Sequence, residues 1–119
     1  MSLAPLLERV TAIGGVQAVV VAGRDGLAIA QSPETLSEAD ALAAFGASVL
    51  SAAEGLGAET HRGATIGVVL EYGDMLISVD PLGELALTVS CFDHAAVLVL
   101  LRLTLRQARN ELLAALDAI

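Results

Sequence analysis

The run Val16–Ala22, "VQAVVVA", is apolar at nearly every position. A strand sends alternate side chains to opposite sides, so this one would be apolar on both faces. Such a strand belongs in a sheet covered on both sides. The chain must therefore supply helices to both faces of a sheet. Its 119 residues suffice for one ordinary domain, expected to span 1–119.

The flanking patterns supply the helices. Leu3, Leu6, Leu7, Val10 and Ile13 recur at helical spacing. Ser2 is a candidate cap, Pro5 falls in the first turn, and Gly14-Gly15 ends the helix. After Val16–Ala22, the four residues Gly23, Arg24, Asp25 and Gly26 lead into a second strand, Leu27–Ala30, as a hairpin. "QSPETLS" (Gln31–Ser37) reads as a loop, and Ser37 with Asp40 resembles a capping box. The helix that follows is expected to reach about Leu56 and stop near Gly57. Beyond the connector His61–Gly63 come three strands, Thr65–Tyr72, Met75–Val79 and Glu84–Cys91. Turns at Gly73-Asp74 and "DPLG" (Asp80–Gly83) separate them. Asp93 is a candidate cap for a last helix starting near His94, with Val97, Leu101, Leu105, Ala108 and Leu112 on one face. The order is αββαβββα, an α+β sandwich.

Composition removes several function classes. The net charge is −8, with six arginines, no lysine and 3% aromatics. A nucleic-acid binder wants a basic surface and often aromatic platforms, so no nucleic-acid partner is expected. Hydrophobic residues make up 55%, yet the longest apolar run, Ala95–Leu101, is seven residues and ends at Arg102. A spanning helix needs about 20, so no membrane insertion is expected. The first residues lack the basic stretch of a signal peptide. The surplus apolar surface points instead to self-association or a protein partner. The single cysteine, Cys91, cannot form an intrachain disulfide, which fits a cytoplasmic location.

The middle helix is the most informative segment. Projected at 100° per residue, Leu42, Phe45, Gly46, Val49, Ala53 and Leu56 form a core stripe. The opposite side holds Asp40, Ala44, Ala47, Ser48, Ser51 and Glu54. One account is that alanine is simply a good helix former. The preferred account is a second buried face, where small side chains admit the same helix of a second copy.

Chemical machinery is sparse. "SCFDH" brings Cys91, Asp93 and His94 together in sequence, and a Cys–His pair is one route to a nucleophile. The alternation of the strand puts Cys91 inside, so an inert core thiol and a surface histidine are preferred. His61 has no His or Cys near it in sequence, and no metal site is expected. No nucleotide-binding loop occurs, so no cofactor is expected. Arg102, Arg106 and Arg109 line one side of the last helix, read as a solvated face suited to the helix C-terminus, with an acidic docking partner as the other reading.

The run Ile13–Ala30, with Gly15-Val16 opening the strand and Asp25-Gly26-Leu27-Ala28-Ile29-Ala30 at the turn, resembles the Roadblock (dynein-light-chain-like) domain family. The alanine-rich helix, the three-strand meander and the terminal helix extend the likeness over nearly the whole chain. One departure is "DHAAVLVLL" (Asp93–Leu101), where many members carry an Asn-Leu-Gly-like segment. The resemblance implies a five-stranded antiparallel sheet of order 2-1-5-4-3. It puts the first and last helices on one face and the middle helix on the other. It also implies a homodimer through the middle helix and third strand, to which Thr65, Ile66, Val68 and Leu70 would contribute.

Members of this family are not enzymes in their own right. The compact bacterial and archaeal MglB-like members imply a partner of a small Ras-like GTPase. The alternative is a dimeric scaffold or adaptor of a signalling or motor complex, with no effect on nucleotide hydrolysis. Arg24 is the one arginine on a tight turn and the candidate for an arginine finger. The Asp25-Gly26 pattern explains the segment as a turn without that role.

Overall fold

The computed structural model describes residues 2–119. The elements are α1 (Ala4–Thr11), β1 (Val16–Gly23), β2 (Ala28–Ser32), α2 (Ala39–Glu59), β3 (Val68–Glu71), β4 (Leu76–Leu82), β5 (Ala86–Phe92) and α3 (Val97–Asp117). The sheet runs β2-β1-β5-β4-β3 with antiparallel neighbours. Both the element order and the strand order agree with expectation.

The doubly apolar β1 divides its side chains between two cores. Val19 and Val21 pack with α1 and α3 through Leu7, Val10, Leu101 and Leu112. Val20 and Ala22 pack with α2 through Ala39, Ala43 and Leu50. On β5, Leu87 and Val89 join the α2 side. The α1/α3 side of β4 and β5 is different, for Ser78 pairs with Ser90 and Asp80 with Thr88 in a buried polar block.

Several boundaries move. Asp80–Leu82 belongs to β4 and not to a turn. Proline is tolerated there because β3 pairs only as far as Val79, so Pro81 interrupts no ladder on that side. Thr65 and Ile66 precede β3 rather than lying in it. The second strand is displaced to Ala28–Ser32, where the ladder to β1 carries an irregularity between Val21 and Ala22. α2 continues through Gly55 and Gly57 to Glu59. At its end the Thr60 hydroxyl donates to the Leu56 carbonyl at 2.8 Å, and His61 takes a positive φ of 57°, which terminates the helix.

Of the proposed side-chain caps, only Ser2 makes a bond to the first turn. The N-caps are Leu3, Glu38 and Ala96, without side-chain cap bonds. Ser2 Oγ accepts from Ala4 N at 3.2 Å, just ahead of the first helix. The Asp93 side chain turns to the adjacent His94 ring. Its backbone N–H donates to the Gly15 carbonyl at 3.0 Å, tying the approach to α3 to the start of β1.

Candidate functional site

The expected core stripe of α2 is rotated. The buried residues are Ala39, Ala43, Gly46 and Leu50. Gly46 sits so close to the sheet that an added methyl carbon would lie 2.6 Å from Val89 Cγ2 and 3.4 Å from Leu87 Cδ1. A stripe of small residues lets the helix axis approach the strands, and a close, narrow contact covers few positions. Leu42, Val49 and Ala53 are half-buried at its flanks. Phe45 and Leu56, assigned to the core from periodicity, point outward instead and are 74% and 66% exposed.

The outer face of α2 is therefore more apolar than the sequence projection suggested. By length and composition alone this 21-residue helix would suffice to cross a membrane, which a search for uninterrupted apolar runs overlooks. Here its inner stripe is packed on the sheet. Next to it lies the unpaired edge of β3, whose one neighbour is β4. Val68 and Leu70 are half-buried and stand opposite Val79 and Ile77. Thr65 is half-buried, and Ile66 is 78% exposed. A free strand edge next to a helix with exposed Phe and Leu is a surface suited to pairing.

The other residues singled out in the sequence fall into two groups. Asp40, Ala44, Ser48 and Ser51 are exposed on α2, whereas Ala47 and Glu54 are half-buried. Ala44, Ala47, Ser48 and Ser51 line one shallow groove with Arg24, Asp25 and Gly26. Gly26 has φ +86°, and a Cβ there would sit 3.4 Å from Ala44 Cα. Small residues on α2 thus already serve the chain's own turn. Asp40 lies outside this groove.

All three guanidinium nitrogens of Arg24 are engaged. Its Nε donates to the Ala86 carbonyl at 2.9 Å and its Nη2 to the Gly83 carbonyl at 3.1 Å. Its Nη1 pairs with Glu54 Oε1 at 2.6 Å. Asp25 Oδ1 accepts from Leu27 N at 3.1 Å. Arg24 clamps the first hairpin to the β4–β5 turn and to α2, which gives the guanidinium a structural occupation that sequence alone did not suggest.

A second arginine pairing was also hidden in the sequence. Arg102 Nε and Nη2 each lie 3.1 Å from Asp80 Oδ1, while Ser78 Oγ donates to Asp80 Oδ2 at 2.7 Å. Burial pushes the Asp80 carboxyl above its ordinary range, opposed by the Ser78 hydrogen bond and the Arg102 charge. Gly67 makes room, since a Cβ there would collide with Asp80 and Arg102. In the sequence the Pro81 that follows gives Asp80 the look of a turn residue, and no sequence signal links it to Arg102.

Cys91 and His94 do not form a reactive pair. Cys91 is buried, and burial followed by the nearby Glu38 charge pushes its thiol up. Its nucleophilic thiolate is therefore scarce at neutral pH. His94 is exposed and contacts Asp93. Among the described residues no group of His, Cys, Asp and Glu is arranged to hold a metal.

A family model for the Roadblock/LC7 domain matches residues 4–90. The chain belongs to the Roadblock/LC7 domain family. Its members are generally regulatory or adaptor domains rather than enzymes. The fold is similar to that of MglB from Myxococcus xanthus, with TM-score 0.82 and 21% identity over 97% of this chain and 94% of that one. It is similar to an MglB described as having a tetrameric arrangement, with TM-score 0.81, 26% identity, and 98% and 89% coverage. The gliding protein MglB of Thermus thermophilus gives TM-score 0.81, 23% identity, and 98% and 89% coverage. No curated protein matches the sequence.

Proposed function

We propose that this chain is a non-enzymatic, cytoplasmic homodimer that binds and regulates a small Ras-like GTPase. The observation that carries the reading is the outer face of α2, where Phe45 and Leu56 stand exposed beside the free edge of β3. Two copies joined along β3 would extend the sheet and bring their α2 helices together, burying apolar surface that is costly to leave in water. The likeness to an MglB with a tetrameric arrangement supports self-association. The Roadblock/LC7 family with its MglB-like relatives supports a GTPase-regulating or adaptor role.

Regulation through ordering of the partner's own switch segments suits this chain better than an arginine finger. Arg24 would have to leave two backbone carbonyls and Glu54 to reach a phosphate. An inserted finger is worth a thousandfold or more in hydrolysis rate. The test is first whether a small Ras-like GTPase is encoded beside this chain, and then a GTP hydrolysis assay with that GTPase. Wild type is expected to bind it, Arg24→Ala to keep the stimulation, and Phe45→Glu to lose binding. Binding without any change in turnover would instead make the chain an adaptor.

A further inference from the structure

Charge is divided between the two faces of the sheet. α1 and α3 carry Arg9, Arg102, Arg106 and Arg109 together with Glu8, Glu111 and Asp117, whereas α2 carries Asp40, Glu54 and Glu59 and no arginine. In a chain of net charge −8, this concentration of positive charge stands against the field of the rest of the molecule.

Arg102, Arg106 and Arg109 line a cleft of about 140 Å³ between α3 and β4, whereas Arg9 pairs with Glu111. Leu82, Leu105 and Leu112 supply apolar wall, and exposed Ile66 stands on its rim. Arg102 is occupied by Asp80. Arg106 and Arg109 line the same cleft, are exposed, and form no ion pair among the described residues. Asp80 is compensated by Ser78 and Arg102, so the charge left to act on a ligand is that of the two unpaired guanidiniums.

We propose that this cleft is a second docking site, and that its occupant is an acidic peptide segment of a partner protein carrying one aliphatic anchor side chain. The anchor would enter among Leu82, Leu105 and Leu112 while flanking carboxylates meet Arg106 and Arg109. Size favours an anchor over a small molecule, because pockets for drug-sized ligands begin at roughly 300 Å³. Arginine forks match carboxylates in a bidentate manner. A walled concavity suits a side chain better than it suits the flat surface of a bilayer. The site lies across the sheet from the outer face of α2 and does not rest on the GTPase reading.

The experiment uses a fluorescent peptide, "EELEE", titrated with the full chain and read by anisotropy. Binding is expected to weaken about tenfold or more with Arg106→Glu/Arg109→Glu, whose exposed positions leave the core intact. It should weaken similarly when the peptide is "EEAEE", and it should fall with added salt. A Phe45→Glu/Leu56→Glu chain should bind the peptide as wild type does, which separates this site from the α2 surface. Equal binding by the arginine double variant would overturn the proposal. So would indifference to the leucine, or binding to phosphatidylglycerol vesicles with none to the peptide.

Discussion

α2 and α3 are both 21 residues long and cover opposite faces of one sheet, yet they bury opposite kinds of side chain. α3 inserts Val97, Leu101, Leu105 and Leu112, with Ala108 between the last two and Ala115 one turn beyond. α2 inserts Ala39, Ala43, Gly46 and one large residue, Leu50. α3 turns Leu101, Leu105 and Leu112 inward and Arg106 and Arg109 to solvent, although Val99, Leu100 and Leu103 are exposed on it as well. α2 turns small residues inward and sends Phe45 and Leu56 outward. A helix whose small residues face its own sheet while its large ones face away is built for two contacts. The first is close and intramolecular. The second, in the dimer proposed above, would be supplied by another chain.

The contrast predicts different responses to substitution. The largest effect on folding is expected on α3, where Leu101 is fully buried. Leu101→Ala should cost about 2–5 kcal/mol in urea denaturation. An effect below about 1 kcal/mol, outside that range, would mean that α3 is not the anchored partner of the pair.

On α2 the large residues should act on association instead. Phe45→Glu with Leu56→Glu should weaken self-association at least about a hundredfold, since burying each such side chain is worth roughly 1.5–3 kcal/mol. Sedimentation equilibrium would measure this. A wild-type chain that is already monomeric at micromolar concentration would remove the second contact altogether.

Small-to-large change should harm α2 where large-to-small change harms α3. Gly46→Ala should destabilise by about 1–3 kcal/mol, because the new methyl meets Val89 and Leu87. A neutral or stabilising result, as expected of alanine on an open helix face, would show that the close approach is not needed.

The smallest effect concerns Asp80, beneath α3. Its carboxyl is raised in the folded chain, so the folded state holds the proton more tightly than the unfolded state does. Its contribution to stability is therefore fully present below the unfolded value of about 3.9 and is lost as pH rises through the folded value. The stability difference between wild type and Asp80→Asn should shift in that direction across the acid range. A difference independent of pH would contradict the raised carboxyl.

Much of this architecture was legible in the sequence. The doubly apolar β1 demanded cover on two sides, and glycine-rich turns marked the hairpins. The choice of α2 as the interaction helix also came from its unusual lack of charge. Its rotation did not, because periodicity reports that a helix has apolar positions without saying which of several apolar arcs meets the sheet. With Ala, Leu, Phe and Val spread around α2, the decision fell to steric fit, and Gly46 against Val89 settled it.

The sequence by itself determined the element order and the family likeness, because turn chemistry and hydrophobic period are local properties. It also determined that apolar residues exceed what one small core conceals. Only the tertiary structure joined residues distant along the chain. It brought Arg24 to Glu54, Gly83 and Ala86, and it brought Arg102 to Asp80 beside Gly67. Arginine reaches such partners through a long side chain whose target depends on how the elements pack. No spacing along the chain encodes that, so the working state of each arginine is a property of the fold.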